Sequence, residues 1–496
     1  MSTWSTADAL PASRPEPSVR DAIGFALTIF TSAFLLFQVE PLISKAILPW
    51  FGGSPAVWTT CLLFFQTLLF AGYAYAHCST RFLSPRAQAL LQLGLIAVAL
   101  VLMPIAPEAR LRPSGDADRT LGVLLLLARS VGPAYFVLSS TGPLVQAWFS
   151  QAYPGRPPYR LYALSNIGSL LALVSYPFVF EPALTTGAIA RLWSWLFAGY
   201  AALLALLAWP RLKAQPAEAA HVLAAPLPVE APSWRQRALW VGLPAFASVA
   251  LLATTNHVCE DVAVIPFLWV VPLALYLLSF IVAFDGPRWY SRRNFALAGV
   301  VLALAVGCVD PLDELCGLLG FELGFRSQLL LDFGLLFVVC MLCHGELVRA
   351  RPGSARLTEF YLWIAFGGAL GGLLVSIVCP NVFATFVEWS LSPPLSLALS
   401  VAVLVAQSER KAWRERRARV VAGLFVALGA AAILYSESDE DSAARAGAEF
   451  RRNDWGLRIR RAGPVCASSC ADSRRGGARS PTARAGAARS AARVLW

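Results

Sequence analysis

Charge is what this sequence has least of. Asp, Glu, Lys and Arg make up 14% of its 496 residues, where a soluble chain carries ~25%. That shortage excludes an ordinary soluble domain. Histidine is scarce as well, with 4 in the whole chain, and no third His stands at ligand spacing, so no metal site is expected. The 10 cysteines form no disulfide framework. Cys61, Cys259, Cys340, Cys343 and Cys379 lie in or beside apolar runs, where a thiol packs as a small hydrophobe. Cys308 and Cys316 flank one loop and could pair. The first 20 residues hold Pro11, Pro15 and Pro17 but neither the apolar run nor the cleavage site of a signal peptide. The first apolar segment is therefore expected to stay in the mature protein.

What is present is hydrophobicity that keeps returning. Apolar residues are 57% of the chain and the mean hydropathy is +0.59. Segments near bilayer length run from Ile23 to Leu434, separated by short gaps carrying Arg, Pro or Gly. A hydrocarbon core of ~30 Å needs ~20 apolar residues of helix. The pattern predicts an all-α polytopic membrane protein with about thirteen transmembrane helices, at 22–43, 56–77, 87–105, 121–147, 159–180, 187–209, 238–255, 263–284, 294–309, 328–349, 359–380, 392–407 and 419–435.

The net charge of +11 could suggest nucleic acid, but most basic residues sit in short loops between the segments. No nucleic acid is expected as a partner; membrane lipids are. Alternate loops are unequal. One set, including Arg81, Arg86, Lys213, Arg237, Arg292 and Arg356, holds 22 Lys and Arg, and the other, including Lys45, Arg110 and Arg191, holds 6. Positive loops stay cytoplasmic, which predicts a cytoplasmic N-terminus.

The two halves of the sequence resemble each other. Gly142-Pro-Leu-Val-Gln-Ala-Trp148 resembles Gly345-Glu-Leu-Val-Arg-Ala-Arg351. Tyr162-Ala-Leu-Ser-Asn-Ile-Gly-Ser169 resembles Tyr361-Leu-Trp-Ile-Ala-Phe-Gly-Gly368, a lag of 199, and both segments run on to a proline, Pro177 and Pro380. Pro55-Ala-Val-Trp58 and Pro266-Phe-Leu-Trp269 open the second helix of each half, a lag of 211. Six helices separate the copies, an even number, so they share one orientation. That is a parallel repeat, as in the two halves of the major facilitator superfamily. The expected organisation is a cytoplasmic tail at 1–21, a first six-helix repeat at 22–209, a cytoplasmic linker at 210–237, a second repeat at 238–408, a basic loop with one extra helix at 409–436, and an Arg/Ala-rich tail at 437–496.

Three blocks are distinctive: Phe34-Leu-Leu-Phe-Gln-Val-Glu-Pro-Leu-Ile-Ser-Lys45 with Pro49-Trp-Phe-Gly-Gly-Ser-Pro-Ala-Val-Trp58; Thr255-Asn-His-Val-Cys-Glu-Asp-Val262 with Pro266-Phe-Leu-Trp-Val-Val-Pro272; and Cys343-His-Gly-Glu-Leu347 with Leu357-Thr-Glu-Phe-Tyr-Leu362 and Gly367-Gly-Ala-Leu-Gly-Gly372. In this order they resemble the membrane half of bacterial fused proteins, in which a facilitator-like bundle precedes a spermidine-synthase-like domain. The resemblance covers roughly 22–436 and implies a multi-pass protein of the inner membrane. It also implies a polyamine or related small cationic metabolite, and a separate spermidine-synthase-like domain as a possible partner. A synthase domain would bring ~200 further residues with a Gly-rich turn for a nucleoside cofactor. Phe450-Arg-Arg-Asn-Asp-Trp-Gly-Leu-Arg-Ile459 looks like a linker into one, but residues 441–496 carry twelve Arg, no Lys and no apolar periodicity. Such a composition builds no core. A frameshifted end and a genuine basic tail both fit it. No cofactor and no aminopropyltransferase activity are expected of this chain.

Ionisable residues inside a bilayer are costly and mark candidate sites. Gln38, Glu40 and Lys45 close the first helix; Glu40 and Lys45 could pair near the outer mouth, or both could snorkel at the interface. His257, Glu260 and Asp261 stand at i, i+3 and i+4 and would share a helical face. They suit a proton relay or a cation site, or else order a hydrated helix end. Asn166 could line a cavity. Cys340-Met-Leu-Cys343-His344 matches a haem attachment pattern, but its place in a membrane helix argues against haem, and His344 and Glu346 read instead as anchors of the helix end beside Arg349. Gly367, Gly368, Gly371 and Gly372 lack the strand and the Lys-Ser/Thr ending of a phosphate loop; they read as small-xxx-small packing positions. Three functions follow: a transporter-like bundle, a synthase-family member that has lost its catalytic domain, or a membrane anchor without transport.

Overall fold

In the computed structural model the described residues run from 17 to 406, apart from 52–54, 106–118, 155, 157, 214–230, 262–265, 310–312, 314–323, 354–355 and 384–386. They are helical, with no strand among them. In chain order the helices are α1 (Val19–Phe51), α2 (Pro55–Phe82), α3 (Pro85–Val101), α4 (Arg119–Ser130), α5 (Gly132–Ala152), α6 (Tyr159–Ser175) and α7 (Thr186–Lys213). The second half holds α8 (Trp234–Asp261), α9 (Pro266–Asp285), α10 (Arg292–Gly307), α11 (Phe325–Arg349), α12 (Leu357–Leu373) and α13 (Val387–Ala406). Among the described residues 8 helices are long and apolar enough to cross a membrane, or up to 9 if one bent pair counts as a span. The protein is an all-helical, multi-pass membrane protein. The expected thirteenth helix, 419–435, lies outside the described residues, as do Cys316 and the tail beyond 436.

One expected helix is two. The run at 121–147 breaks at Val131, and α4 and α5 meet at 71°. Pro133 stands in the first turn of α5. Its ring excludes the carbonyl four residues back, and it brings no N–H to continue the ladder, so the helix restarts in a new direction. Elsewhere the starts follow local chemistry. Ser84 accepts from the Ala87 N–H ahead of Pro85, and Ser291 accepts from the Asn294 N–H, each satisfying a donor that a helix start leaves free.

The same pairings recur in both halves. α1 packs on α6, as α8 packs on α12; α2 packs on α5, as α9 packs on α11; α3 packs on α7, as α10 packs on α13. Between halves, α6 packs on α9 and α2 on α12. The correspondence reaches single residues. Gly168 lets α6 approach the Phe30 carbonyl of α1, and Gly367 lets α12 approach the Val241 carbonyl of α8. Lipid offers helices no hydrophobic drive to associate, so such close backbone contact supplies the attraction instead. Both α6 and α12 run into a π turn, Tyr176–Phe180 and Leu374–Val378. A short α-turn follows, with Pro182 in the first half and Pro380 in the second. The structural counterpart of Pro380 is thus Pro182, and Pro177 sits inside the first π turn. A widened turn just before each proline relieves the carbonyl its ring would strike.

Candidate functional site

A cavity of about 180 Å³ lies between the halves, walled by α1, α2, α5 and α6 from the first and by α8, α9 and α12 from the second. Most of its lining is apolar, which suits a wall built from membrane helices. Among the described residues Glu40 is the one charged side chain in the wall; the neutral polar ones include Gln66, Asn166 and the hydroxyls of Ser32, Ser139, Ser248 and several tyrosines. Glu40 is 8% exposed and accepts a hydrogen bond from the Tyr135 hydroxyl at 2.9 Å. Gln66 reaches across to the Ser248 hydroxyl of the other half at 3.5 Å. The Asn166 amide donates to the Tyr162 carbonyl one turn back, at 2.9 Å.

Towards the N-terminal ends of α6 and α12 the halves are tied together. Tyr162 and Tyr361, the pair at the repeat lag of 199, stack on one another with centroids 4.8 Å apart and planes at 11°. The Tyr361 hydroxyl donates to Gln146 at 2.9 Å. The Tyr159 hydroxyl donates to the Pro352 carbonyl at 2.5 Å, and the Arg351 guanidinium lies 4.5 Å over the Tyr159 ring. His77 of α2 meets Thr358 of α12 at 3.0 Å. These contacts all join one half to the other.

The candidates from sequence fall in different places. Glu40 and Asn166 line the cavity. Gln38 does not; it is buried, and among the described residues neither end of its amide finds a hydrogen-bond partner. Lys45 is paired with Glu181 rather than with Glu40. Five residues of helix turn a side chain ~140° away, so Glu40 faces the cavity while Lys45 faces the turn that follows α6. His257 pairs with Asp332 of α11 at 3.9 Å and stacks on Trp389 of α13 with centroids 4.0 Å apart. The backbone at Glu260 and Asp261 is helical, but their side chains lie outside the described residues. The four glycines divide. Gly367 and Gly371 face the Val241 and Ala245 carbonyls, Gly372 faces the Gln66 side chain, and Gly368 meets nothing within 4 Å and lines the cavity.

His344 and Glu346 do not act together. His344 is buried, bonded to the Ser279 hydroxyl at 2.8 Å and stacked on Phe280 at 3.6 Å. Glu346 receives both Arg292 Nε and Nη2 at 2.7 Å and the Tyr290 hydroxyl at 2.9 Å. Burial, and then the Glu346 carboxylate, hold the Tyr290 hydroxyl well above its ordinary pKa, so it stays a donor. Helix-end anchoring therefore belongs to Glu346 with α10, not to His344 with Arg349. Among the described residues no group of three or more His, Cys, Asp or Glu could hold a metal ion. Sequence reasoning missed Tyr135, Gln66, Ser248, Asp332 and Trp389, none of which carries a local signal. It did align Tyr162 with Tyr361, and the lag of 199 could have marked them as facing partners.

No known protein family matches the chain, nor does any curated protein sequence. Solved structures do. The peptide transporter POT, as a mutant in complex with sulfate, is 16% identical with a TM-score of 0.45, over 79% of this chain and 96% of that one. The proton:xylose symporter XylE bound to 6-bromo-6-deoxy-D-glucose is 12% identical with a TM-score of 0.45, over 77% and 95%. The human organic anion transporter MFSD10 is 14% identical with a TM-score of 0.45, over 84% and 99%.

Proposed function

We propose that this chain is a major-facilitator-like transporter whose substrate binds in the central cavity and crosses the membrane as the two halves rock about it. The observation that carries this reading is a cavity at the interface of two similarly packed halves, lined from both and flanked at one end by contacts that all join half to half. Alternating access needs such an arrangement: a fixed central site and two bundles that can part on either side. A membrane anchor needs no cavity. Glu40 points to a cationic metabolite, and a polyamine or a relative of one is the substrate class that the sequence blocks imply. The basic loops favour a cytoplasmic N-terminus and 210–237 linker, and the sequence blocks imply a bacterial inner membrane; on that reading the tied end faces inward. A spermidine-synthase-like domain, if a separate one serves this chain, would meet it on that side.

The test is the distance between the halves at the tied end. Spin labels at Arg160→Cys and Gly353→Cys, both exposed, are placed in a background where the accessible native cysteines, Cys78 and Cys308 among them, are replaced by serine. Transport requires two populated distances in lipid nanodiscs, one short and one long, with weights that a bound substrate changes. A single short distance under all conditions would refute it.

A further inference from the structure

The inference rests on the transporter reading for its physiological meaning and concerns what the cavity selects. Among the described residues Glu40 is the only charged group in the lining. Among the described residues no cation pairs with it; its one partner is the neutral Tyr135 hydroxyl, and the nearby Lys45 is held by Glu181. A carboxylate in a low-dielectric site is neutralised by a proton, by a protein cation or by a ligand, and the described protein supplies no cation. The rest of the lining is unlike a site built for a proton alone. Phe65, Tyr73, Tyr135, Tyr276 and Phe280 all line the wall, and the Phe65 ring lies 4.9 Å from that of Tyr135, the carboxylate's partner. Aromatic faces attract ammonium groups, most strongly when both are desolvated. The Ser139 and Ser248 hydroxyls and Asn166 in the same wall can accept the remaining ammonium N–H groups.

We infer that the cavity takes a small monovalent organic cation, an ammonium group on an apolar body, with Glu40 as its counter-ion and the aromatic rings as its walls. One carboxylate matches one positive charge. The second ammonium of a diamine would meet rings, hydroxyls and the neutral Gln66 and Asn166 amides there, a buried charge with no counter-ion among the described residues. The volume of about 180 Å³ is below the roughly 300–1,000 Å³ of pockets for drug-sized ligands, so the body is small. This narrows the polyamine class to its singly charged relatives.

The probes are n-butylamine, 1,4-diaminobutane and 1-butanol, similar in length and carrying one, two and no charges at neutral pH. Binding is measured by calorimetry on the full chain in nanodiscs, with empty nanodiscs subtracted. Butylamine is expected to bind best. Replacing Glu40→Gln keeps the acceptor for Tyr135 and removes the charge; it should weaken butylamine by about 10- to 100-fold, the weight of one charge-assisted hydrogen bond, and leave butanol unchanged. Equal binding of butylamine and butanol would overturn the inference. So would better binding of the diamine, an amine preference that survives Glu40→Gln, or no butylamine binding at all. Should the variant not fold, the order of the three probes on the native chain still decides, because a cavity whose carboxylate is merely protonated treats amine and alcohol alike. A Glu40-dependent preference with a single inter-half distance would keep the cation site and refute transport; two distances with no preference would do the reverse.

Discussion

Four glycines in six residues look interchangeable in the sequence, and the structure predicts that they are not. Consider alanine at Gly367, at its counterpart Gly168 and at Gly368. A Cβ on Gly168 would stand 2.8 Å from the Phe30 carbonyl oxygen, and one on Gly367 would press closer still on Val241. Ordinary contact begins at 3.4 Å, so α6 must back away from α1 by a good half-ångström, and α12 must back away further from α8. Neither neighbour is the loose end of a side chain; both are backbone within packed helices. Overpacking of this kind costs roughly 1–3 kcal/mol, against about 0.5–1 kcal/mol that alanine returns in a helix interior. The net is a loss of roughly 1–2 kcal/mol at Gly367 and about 0–2 kcal/mol at Gly168. At Gly368 nothing lies within 4 Å, so alanine should be neutral or stabilising by about 0.5–1 kcal/mol. Thermal unfolding in one detergent, read by tryptophan fluorescence, should rank Gly368→Ala first, then the native chain, then Gly168→Ala, with Gly367→Ala lowest. If Gly368→Ala proved the most damaging of the three, the packing geometry of α8 with α12 would be wrong.

Two further outcomes are expected beside the inter-half distance and the cation series. Replacing Arg292→Lys keeps the charge but loses the two-pronged contact to Glu346; it should lower stability by about 1 kcal/mol, and Glu346→Gln should cost the same pair a similar amount, with the double variant less than additive in a mutant cycle. Reporter fusions after residues 225 and 436 should give cytoplasmic and periplasmic signals respectively; matching signals would mean that the number of crossings is even between those points.

Much of the architecture could be read without coordinates because its signals are local. A crossing helix is a run of apolar residues, and a repeat is a lag between similar strings. Helices at eleven of the thirteen expected places are continuous or nearly so, and each lies within one stretch of chain. The break at Val131 escaped because Pro133 is tolerated in the first turn of a helix and forbidden inside one; which applies depends on whether the chain restarts there. The pairing of Pro177 with Pro380 misled for a similar reason. Proline marks a place where a helix is disturbed, but only the π turns show which disturbance corresponds to which.

The sequence by itself determined that this chain lives in a membrane, that similar strings recur in its two halves, and that Glu40 and a band of glycines are out of the ordinary. Hydropathy and periodicity suffice for these, because each is a property of neighbours along the chain. Only the tertiary structure decided what those residues meet. Glu40 finds Tyr135 and not Lys45; His257 finds Asp332 and Trp389; Gly367 serves packing while Gly368 opens onto the cavity. Each of these partners comes from a different helix, tens to more than a hundred residues away. In a bundle the direction a side chain faces depends on how its helix is turned against the others, and that rotation is settled by the packing of all of them together.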